Sequence, residues 1–173
     1  MKRKEFKVTQ KKETKSILKL SERLLSNNIH AGNTVLISVS GNYSCLAGQM
    51  LRHSLSCDGE ICEGFSIDVP YPDETWDVTY LLELKILFEL YNYKIKNKNI
   101  LLVEAGVIRG SNYTFIIDYL KNTLGITKEI HTLALYENSR SVFKSDFVAH
   151  YYDDEKEDLT FWWERYNSHW NKR

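Results

Sequence analysis

The chain has 173 residues, of which 43% are hydrophobic and 27% are charged, and its 23 basic side chains balance 23 acidic ones. This composition is typical of one globular domain and excludes a disordered chain. A net charge of zero also excludes a general nucleic-acid binder, because binding by counterion release needs a surplus of positive charge on the surface.

The first element is a basic segment. Residues 1–16 carry seven basic and two acidic side chains, so this segment has a surplus of five positive charges and the remainder has an equal negative surplus. We expect a solvated, partly disordered basic arm over residues 1–16, followed by a single domain over residues 17–173. The alternative is an arm that binds a polyanion.

Hydrophobic periodicity predicts alternating helices and strands along the rest of the chain. The expected helices cover residues 14–29, 42–55 and 112–124, and the expected strands cover residues 34–40, 62–69, 99–103, 131–135 and 147–152. Residues 80–90 fit either a helix or a strand around Leu84, and residues 70–76 form a turn-rich loop. This alternation predicts an α/β fold in three layers, with helices on both faces of a mainly parallel sheet.

Two kinds of segment are not found in the sequence. No apolar run approaches the roughly 20 residues that a membrane span needs, and the basic beginning lacks the apolar core of a signal peptide. A cytoplasmic location without membrane contact is therefore expected. The three cysteines, Cys45, Cys57 and Cys62, lack the spacing of a zinc site, so we interpret them as reduced thiols.

The turn after the strand at residues 99–103 is the main candidate for a binding site. It places Glu104 at the strand end, and Gly110 and Ser111 before a helix. Ligands of parallel α/β sheets bind at the carboxyl ends of strands, where N–H groups and the positive dipole of a helix start can hold a phosphate. Glu104 would then accept hydrogen bonds from two sugar hydroxyls. The alternative is an ordinary tight connection; if the turn binds phosphate, Gly110→Val should abolish binding at a modest cost in stability.

Four segments resemble motifs of the type I phosphoribosyltransferases and occur in the same order. Residues 103–113 resemble a degraded copy of the phosphoribosyl pyrophosphate signature, in which a strand and two acidic residues precede a Thr-Gly-x-Thr turn and a helix. Residues 37–47 resemble the pyrophosphate-binding loop of hypoxanthine-guanine phosphoribosyltransferases, and residues 139–148 their Arg-Ser-Val…Lys-Pro-Asp-Phe-Val segment. Residues 161–164 resemble the Phe-Pro-Trp-Glu of related purine enzymes. The resemblance implies a phosphoribosyltransferase-like fold with a small hood made by the terminal segments.

The resemblance also implies roles for the matching residues. The catalytic residue would be Glu104, which would hold the ribose hydroxyls. The residues that would bind the rest of the substrate are Ser40, Gly41 and Asn42 for the pyrophosphate, Arg109, Gly110, Ser111 and Asn112 for the 5-phosphate, and Trp162 and Trp163 for the base. So dense an aromatic segment is equally typical of a hydrophobic core or a dimer contact.

The chain departs from the family at positions that the chemistry uses. Ala105 replaces the second carboxylate of the signature, and Ile108 replaces the aspartate base of the purine branch. Ser40 stands where a lysine is common, and Tyr136 or Glu137 stands where a lysine reads the purine oxygen. The pocket has therefore lost much of the family's charge.

Three functions are consistent with the resemblance. The first is an active purine-branch transferase, in which a base nitrogen attacks C1 of phosphoribosyl pyrophosphate with Mg²⁺ as cofactor and releases pyrophosphate. The second is a catalytically degenerate regulator or effector, for example in a bacterial retron anti-phage system. Such an effector would bind a nucleotide. Through the basic arm it would bind a second copy of this chain, another protein or a nucleoprotein. The third is a glycosidic-bond hydrolase that uses water in place of pyrophosphate.

Overall fold

The computed structural model describes residues 3–39, 41–56, 60–67 and 78–161. Its elements in chain order are β1 (Lys4–Val8), α1 (Gln10–Ser26), β2 (Thr34–Val39), α2 (Gly41–Leu55), β3 (Glu63–Ile67), α3 (Val78–Asn97), β4 (Asn99–Val107), α4 (Ser111–Asp118), β5 (Ile130–Asn138), β6 (Phe147–Tyr152) and β7 (Glu157–Phe161). A π-helical turn, Tyr119–Thr123, continues α4. The loop expected at residues 70–76 lies outside the described residues.

Five of the strands form one parallel sheet in the order β3-β2-β4-β5-β6. Every residue of β2 is buried, as is typical of a strand that is covered by helices on both faces. One hydrophobic cluster joins the sheet to α1 and α2, and a second joins its other face to α3 and α4. The predicted three-layer α/β fold with a parallel sheet and helices on both faces is therefore confirmed.

Residues 3–16 include the strand β1 and the start of the helix α1, whereas the sequence predicts a solvated, partly disordered arm there. β1 pairs in parallel with β7, from Lys4 opposite Glu157 to Val8 opposite Phe161, and the two strands form a separate small sheet. Val8 is buried in the main core. The Thr9 side chain accepts a hydrogen bond from the Lys12 N–H and caps α1, so the helix begins at Gln10 rather than near residue 14. The expected boundary between arm and domain falls inside this helix.

Two further elements are longer than their sequence pattern indicates. The ambiguous segment at residues 80–90 is part of the helix α3. β4 continues past Val103 to Val107, because Gly106 and Val107 pair with Tyr136 and Glu137 of β5. The turn expected at residues 104–112 is thus shorter, and Glu104 lies within the strand. In the described part of the chain, no helix is both long enough and apolar enough to cross a membrane.

Candidate functional site

The strand order places a crevice between β2 and β4. From β2 the chain passes through α2 to β3 on one side of the sheet, whereas from β4 it passes through α4 to β5 on the other side. The carboxyl ends of two such strands flank a topological switch point, which is where parallel α/β sheets bind ligands. The starts of α2, at Gly41, and of α4, at Ser111, both follow these strand ends.

The connection from β4 to α4 is built around Gly110. Its φ of 78° and ψ of 14° are left-handed, a conformation that glycine adopts without strain. Gly110 is the N-cap, and no side chain caps this helix start. The helix ladder begins with the Thr114 N–H donating to the Gly110 carbonyl at 3.1 Å. The N–H groups of the first helical turn therefore have no acceptor within the helix itself, as an anion-binding helix start requires.

Phe143 explains why this position excludes a side chain. A Cβ at Gly110 would lie 2.2 Å from Phe143 Cβ, because the loop between β5 and β6 packs directly over the turn. The Phe143 ring also contacts Tyr113 in the first turn of α4, with ring centroids 5.3 Å apart. The turn is therefore held by a residue more than thirty positions away, which the local sequence pattern does not show.

Glu104 lies beside this turn in a nearly closed environment. Its exposed fraction is 6%, and the Asn112 side-chain amide donates to its Oε1 at 2.9 Å. Its charge acts on two phenols. Burial chiefly, and the charge of Glu104 in addition, raise the pKa of Tyr113. Burial chiefly, followed by the charges of Asp154 and Glu104, raises the pKa of Tyr152 to about 12. The Tyr113 hydroxyl donates instead to the Leu133 carbonyl at 2.5 Å. A ribose hydroxyl would therefore meet Glu104 together with its partner Asn112.

The structure brings five predicted site residues together in one strand–turn–helix segment: Glu104, Arg109, Gly110, Ser111 and Asn112. Arg109 and Ile108 are both exposed and project from the turn, whereas Ala105 is buried. Residues 41 and 42 form the start of α2, but their side chains lie outside the described part. Ser40, Trp162 and Trp163 also lie outside it, so their predicted roles stay predictions.

Tyr136, one of the two residues that the resemblance aligns with the family's purine-reading lysine, is enclosed by aromatic side chains. Tyr136 is fully buried, and its ring is stacked on that of His150 with centroids 5.3 Å apart. The rings of Phe6 and Phe161 pack edge-to-face against it, with centroid distances of 5.9 and 5.4 Å. Burial chiefly, with the charge of Glu13 in addition, raises the pKa of its phenol, and its hydroxyl has no hydrogen-bond partner among the described residues. The two-stranded sheet of β1 and β7, which we call the hood, supplies Phe6 and Phe161. Part of this cover, Phe6, therefore comes from the basic segment that the sequence predicts to be a partly disordered arm.

Glu137, the other residue considered for that position, has a structural role. It is fully buried, its Oε2 accepts the Ser145 N–H at 2.8 Å, and its Oε1 lies 3.8 Å from Lys144 Nζ. These contacts fix the loop that carries Phe143 over Gly110. Glu137 therefore supports the turn after β4 from the neighbouring strand.

Few side chains near the turn could bind a magnesium ion. Within the described ranges, no group of three His, Cys, Asp or Glu side chains could hold a metal ion. Ala105 removes the second carboxylate beside Glu104. Mg²⁺ commonly uses one or two carboxylates together with phosphates of its substrate. The described side chains therefore do not form a metal site of their own.

These features define the class of fold: a parallel α/β domain with a five-stranded sheet, a switch point between β2 and β4, and a small second sheet of β1 and β7. In structure the chain is similar to a purine phosphoribosyltransferase from Pyrococcus horikoshii, with a TM-score of 0.67 and 20% identity over 92% of this chain and 93% of that one. It is similar to the Helicobacter pylori xanthine-guanine-hypoxanthine phosphoribosyltransferase, with a TM-score of 0.62 and 13% identity over 98% and 99% of the two chains.

A third similar structure is a Neisseria gonorrhoeae protein described as hypothetical and solved with bound ppGpp, with a TM-score of 0.65 and 16% identity over 97% and 96% of the two chains. No sequence family matches the chain, and no curated protein matches it in sequence. The similarity thus establishes the phosphoribosyltransferase fold.

Proposed function

We propose that the protein binds a phosphoribosyl group, as phosphoribosyl pyrophosphate or as a nucleotide, at the turn between β4 and α4. The observation that carries this proposal is the left-handed, uncapped Gly110 start of α4 beside the buried carboxylate of Glu104. Backbone N–H groups and the helix dipole attract the 5-phosphate, and the carboxylate accepts hydrogen bonds from the ribose. The fold shared with purine phosphoribosyltransferases supports the same assignment.

Each residue of the site has a distinct task in this proposal. Arg109 is exposed next to the turn and adds positive charge for the phosphate. Asn112 joins the two halves of the site, because it belongs to the helix start and donates to Glu104. Magnesium would enter with the phosphates of the ligand and supply charge neutralisation there, with Glu104 as the adjacent carboxylate.

Binding can be tested by calorimetric titration with phosphoribosyl pyrophosphate in the presence of Mg²⁺, and with GMP and IMP separately. Arg109→Ala should weaken binding about tenfold or more, since a hydrogen bond to a charged group contributes about 1.5–3 kcal/mol. Lys121→Ala is the matched control, because it removes one exposed cation from the other end of the same helical segment. Equal affinities of the two variants, or no binding by the wild type, would refute the proposed site.

Transfer is the finer proposal, and it concerns the purine branch. Here a base nitrogen attacks C1 of phosphoribosyl pyrophosphate and pyrophosphate leaves, while Glu104 orients the ribose. Incubation with labelled phosphoribosyl pyrophosphate, Mg²⁺ and each common base measures pyrophosphate release directly. Absence of release with every base would reject transfer and leave binding intact. Base release from nucleotides without pyrophosphate would identify the hydrolase instead.

A specific observation favours a second candidate, a regulator or effector that binds without transferring. The purine-reading position holds Tyr136, whose ring is enclosed by His150 and the hood residues Phe6 and Phe161. The base pocket is therefore partly filled by the protein's own side chains. A cytoplasmic effector with a second copy, a protein or a nucleoprotein as partner, for example in a retron anti-phage system, fits this state. Gene neighbourhood and mass spectrometry of co-purified ligands distinguish purine salvage from defence.

A further inference from the structure

A groove of about 300 Å³ lies between α1 and β6, on the edge strand of the sheet and away from the turn after β4. Its α1 wall carries the side chains of Lys12, Lys15, Lys19 and Arg23. The β6 wall contributes His150, which shares a hydrogen bond of 2.7 Å with Ser16 across the groove. Four basic side chains therefore line one side of a single cleft.

The four cations form a row, which we call the α1 row. Their spacing of three or four residues places them on one helix face, and eleven helical steps correspond to about 16 Å along the axis. Both ends are held in place by the fold. Lys12 Nζ lies 3.9 Å from the centroid of the Phe6 ring, and Arg23 Nη1 donates to the Val148 carbonyl at 2.9 Å.

The charge of the α1 row is not neutralised within the described structure. None of its four cations lies within 4.0 Å of a carboxylate there, whereas Arg3, Lys98, Arg140 and Lys156 all form ion pairs. Like charges three and four residues apart on a helix destabilise it. Burial chiefly, with the charges of Lys12 and Lys19 in addition, lowers the pKa of His150, so the positive potential extends to the floor of the groove.

We propose that the α1 row is a binding site for an extended chain of phosphate groups. A single compact phosphate is held by donors that converge, whereas these cations follow one another along a helix ridge and match an anion whose charges repeat along its length. Two sources share this chemistry: the backbone of a single-stranded nucleic acid and inorganic polyphosphate. The site is separate from the phosphoribosyl site and does not depend on it.

The test uses fluorescence anisotropy with a labelled single-stranded DNA of mixed sequence, and inorganic polyphosphate as competitor, over a series of salt concentrations. Lys15→Gln/Lys19→Gln removes two exposed members of the row, and Lys121→Gln/Lys128→Gln removes two exposed lysines elsewhere. Losing two phosphate contacts should lower the slope of log K against log salt by about 1.4 and weaken binding strongly at low salt. The control variant should keep the wild-type slope.

Each outcome bears on the proposal. Stronger binding of DNA than of polyphosphate would identify a nucleic-acid strand as the source, and effective competition by polyphosphate would identify the phosphate chain alone. Absence of wild-type binding to both probes at low salt would overturn the proposal, as would an equal loss in both double variants. Circular dichroism confirms that the variants are folded, which is expected because the substituted lysines are exposed.

Discussion

Substitution of Gly110 by alanine separates two contributions to the stability of the turn after β4. The backbone at φ 78° costs an L-residue about 1–2 kcal/mol relative to glycine. The new Cβ would also lie 2.2 Å from Phe143 Cβ, which forces the packed loop to move at a further cost of about 1–3 kcal/mol. We therefore expect Gly110→Ala to lower the free energy of unfolding by roughly 2–5 kcal/mol.

The chain offers a matched control at Gly125. Its φ of 65° is also left-handed, but an added Cβ there meets nothing within 4 Å. Gly125→Ala should therefore cost only the backbone contribution of about 1–2 kcal/mol. Urea unfolding of the two variants measures the difference directly. If Gly110→Ala destabilises the protein no more than Gly125→Ala, the close packing of Phe143 over the turn is refuted.

A double-mutant cycle assigns the clash to its partner. Phe143→Ala removes the ring atoms Cγ and Cδ1, which would lie 2.9 and 3.2 Å from the added Cβ, but it keeps Phe143 Cβ at 2.2 Å. The loss in Gly110→Ala/Phe143→Ala should therefore be less than the sum of the single losses, with the Cβ contact remaining. The same geometry corrects the expectation that Gly110→Val would be a clean test of phosphate binding. A branched side chain 2.2 Å from Phe143 Cβ would damage the fold as well as the site.

Two further predictions concern the residues around Tyr136. Tyr136→Phe should leave the free energy of unfolding unchanged or raise it by about 1 kcal/mol, because the hydroxyl is buried without a partner in the described structure. Tyr113→Phe should lower it by about 1 kcal/mol, because it removes the hydrogen bond to the Leu133 carbonyl. A clear loss of stability in Tyr136→Phe would show that its hydroxyl has a partner. His150 faces Lys12 and Lys19 of α1 and Tyr136 of β5, and its pKa in the fold is lowered, so the unfolded imidazole binds a proton that the folded one does not. Stability should fall as the pH drops below about 6.5, and urea unfolding at pH 7.5 and 5.5 should show a smaller drop for His150→Gln than for the wild type.

The sequence contains enough periodic information to predict the main sheet but not the hood. Ile100–Val103 is a continuous apolar run and Thr34–Val39 is mostly apolar, as is typical of buried parallel strands. β1 has the sequence Lys-Glu-Phe-Lys-Val, in which only Phe6 and Val8 are apolar. Two apolar residues among three charged ones are too few for the hydrophobic pattern to predict a strand. Its partner β7 follows 149 or more residues later, and such a pairing leaves no local pattern.

The candidate site was predictable to the extent that it is local. Glu104 and Gly110 lie eight and two residues before Asn112, and all three belong to one strand–turn–helix unit. The small residues of its turn indicate this unit in the sequence. Phe143 over Gly110, and the aromatic cover of Tyr136, join segments that are distant in sequence. No spacing rule connects such residues, so the sequence alone does not predict either contact.

In the folded protein, the positive charges of residues 3–16 are divided between the region of β1 and the helix α1. The basic side chains next to and within β1 form ion pairs with acidic side chains. Arg3 pairs with Asp158 of β7 at 3.2 Å, and Lys7 pairs with Glu5 at 3.0 Å. Those of the α1 row form none within the described residues, because α1 turns its lysines toward β6, where the groove presents His150 and backbone. A net charge of zero over the whole chain therefore excludes a uniformly basic surface, but it does not exclude a local basic row such as that on α1. α1 also carries Glu13 and Glu22, but neither forms an ion pair with the four cations of the α1 row in the described structure. A search for a polyanion partner should accordingly begin at α1 rather than at the N-terminal strand.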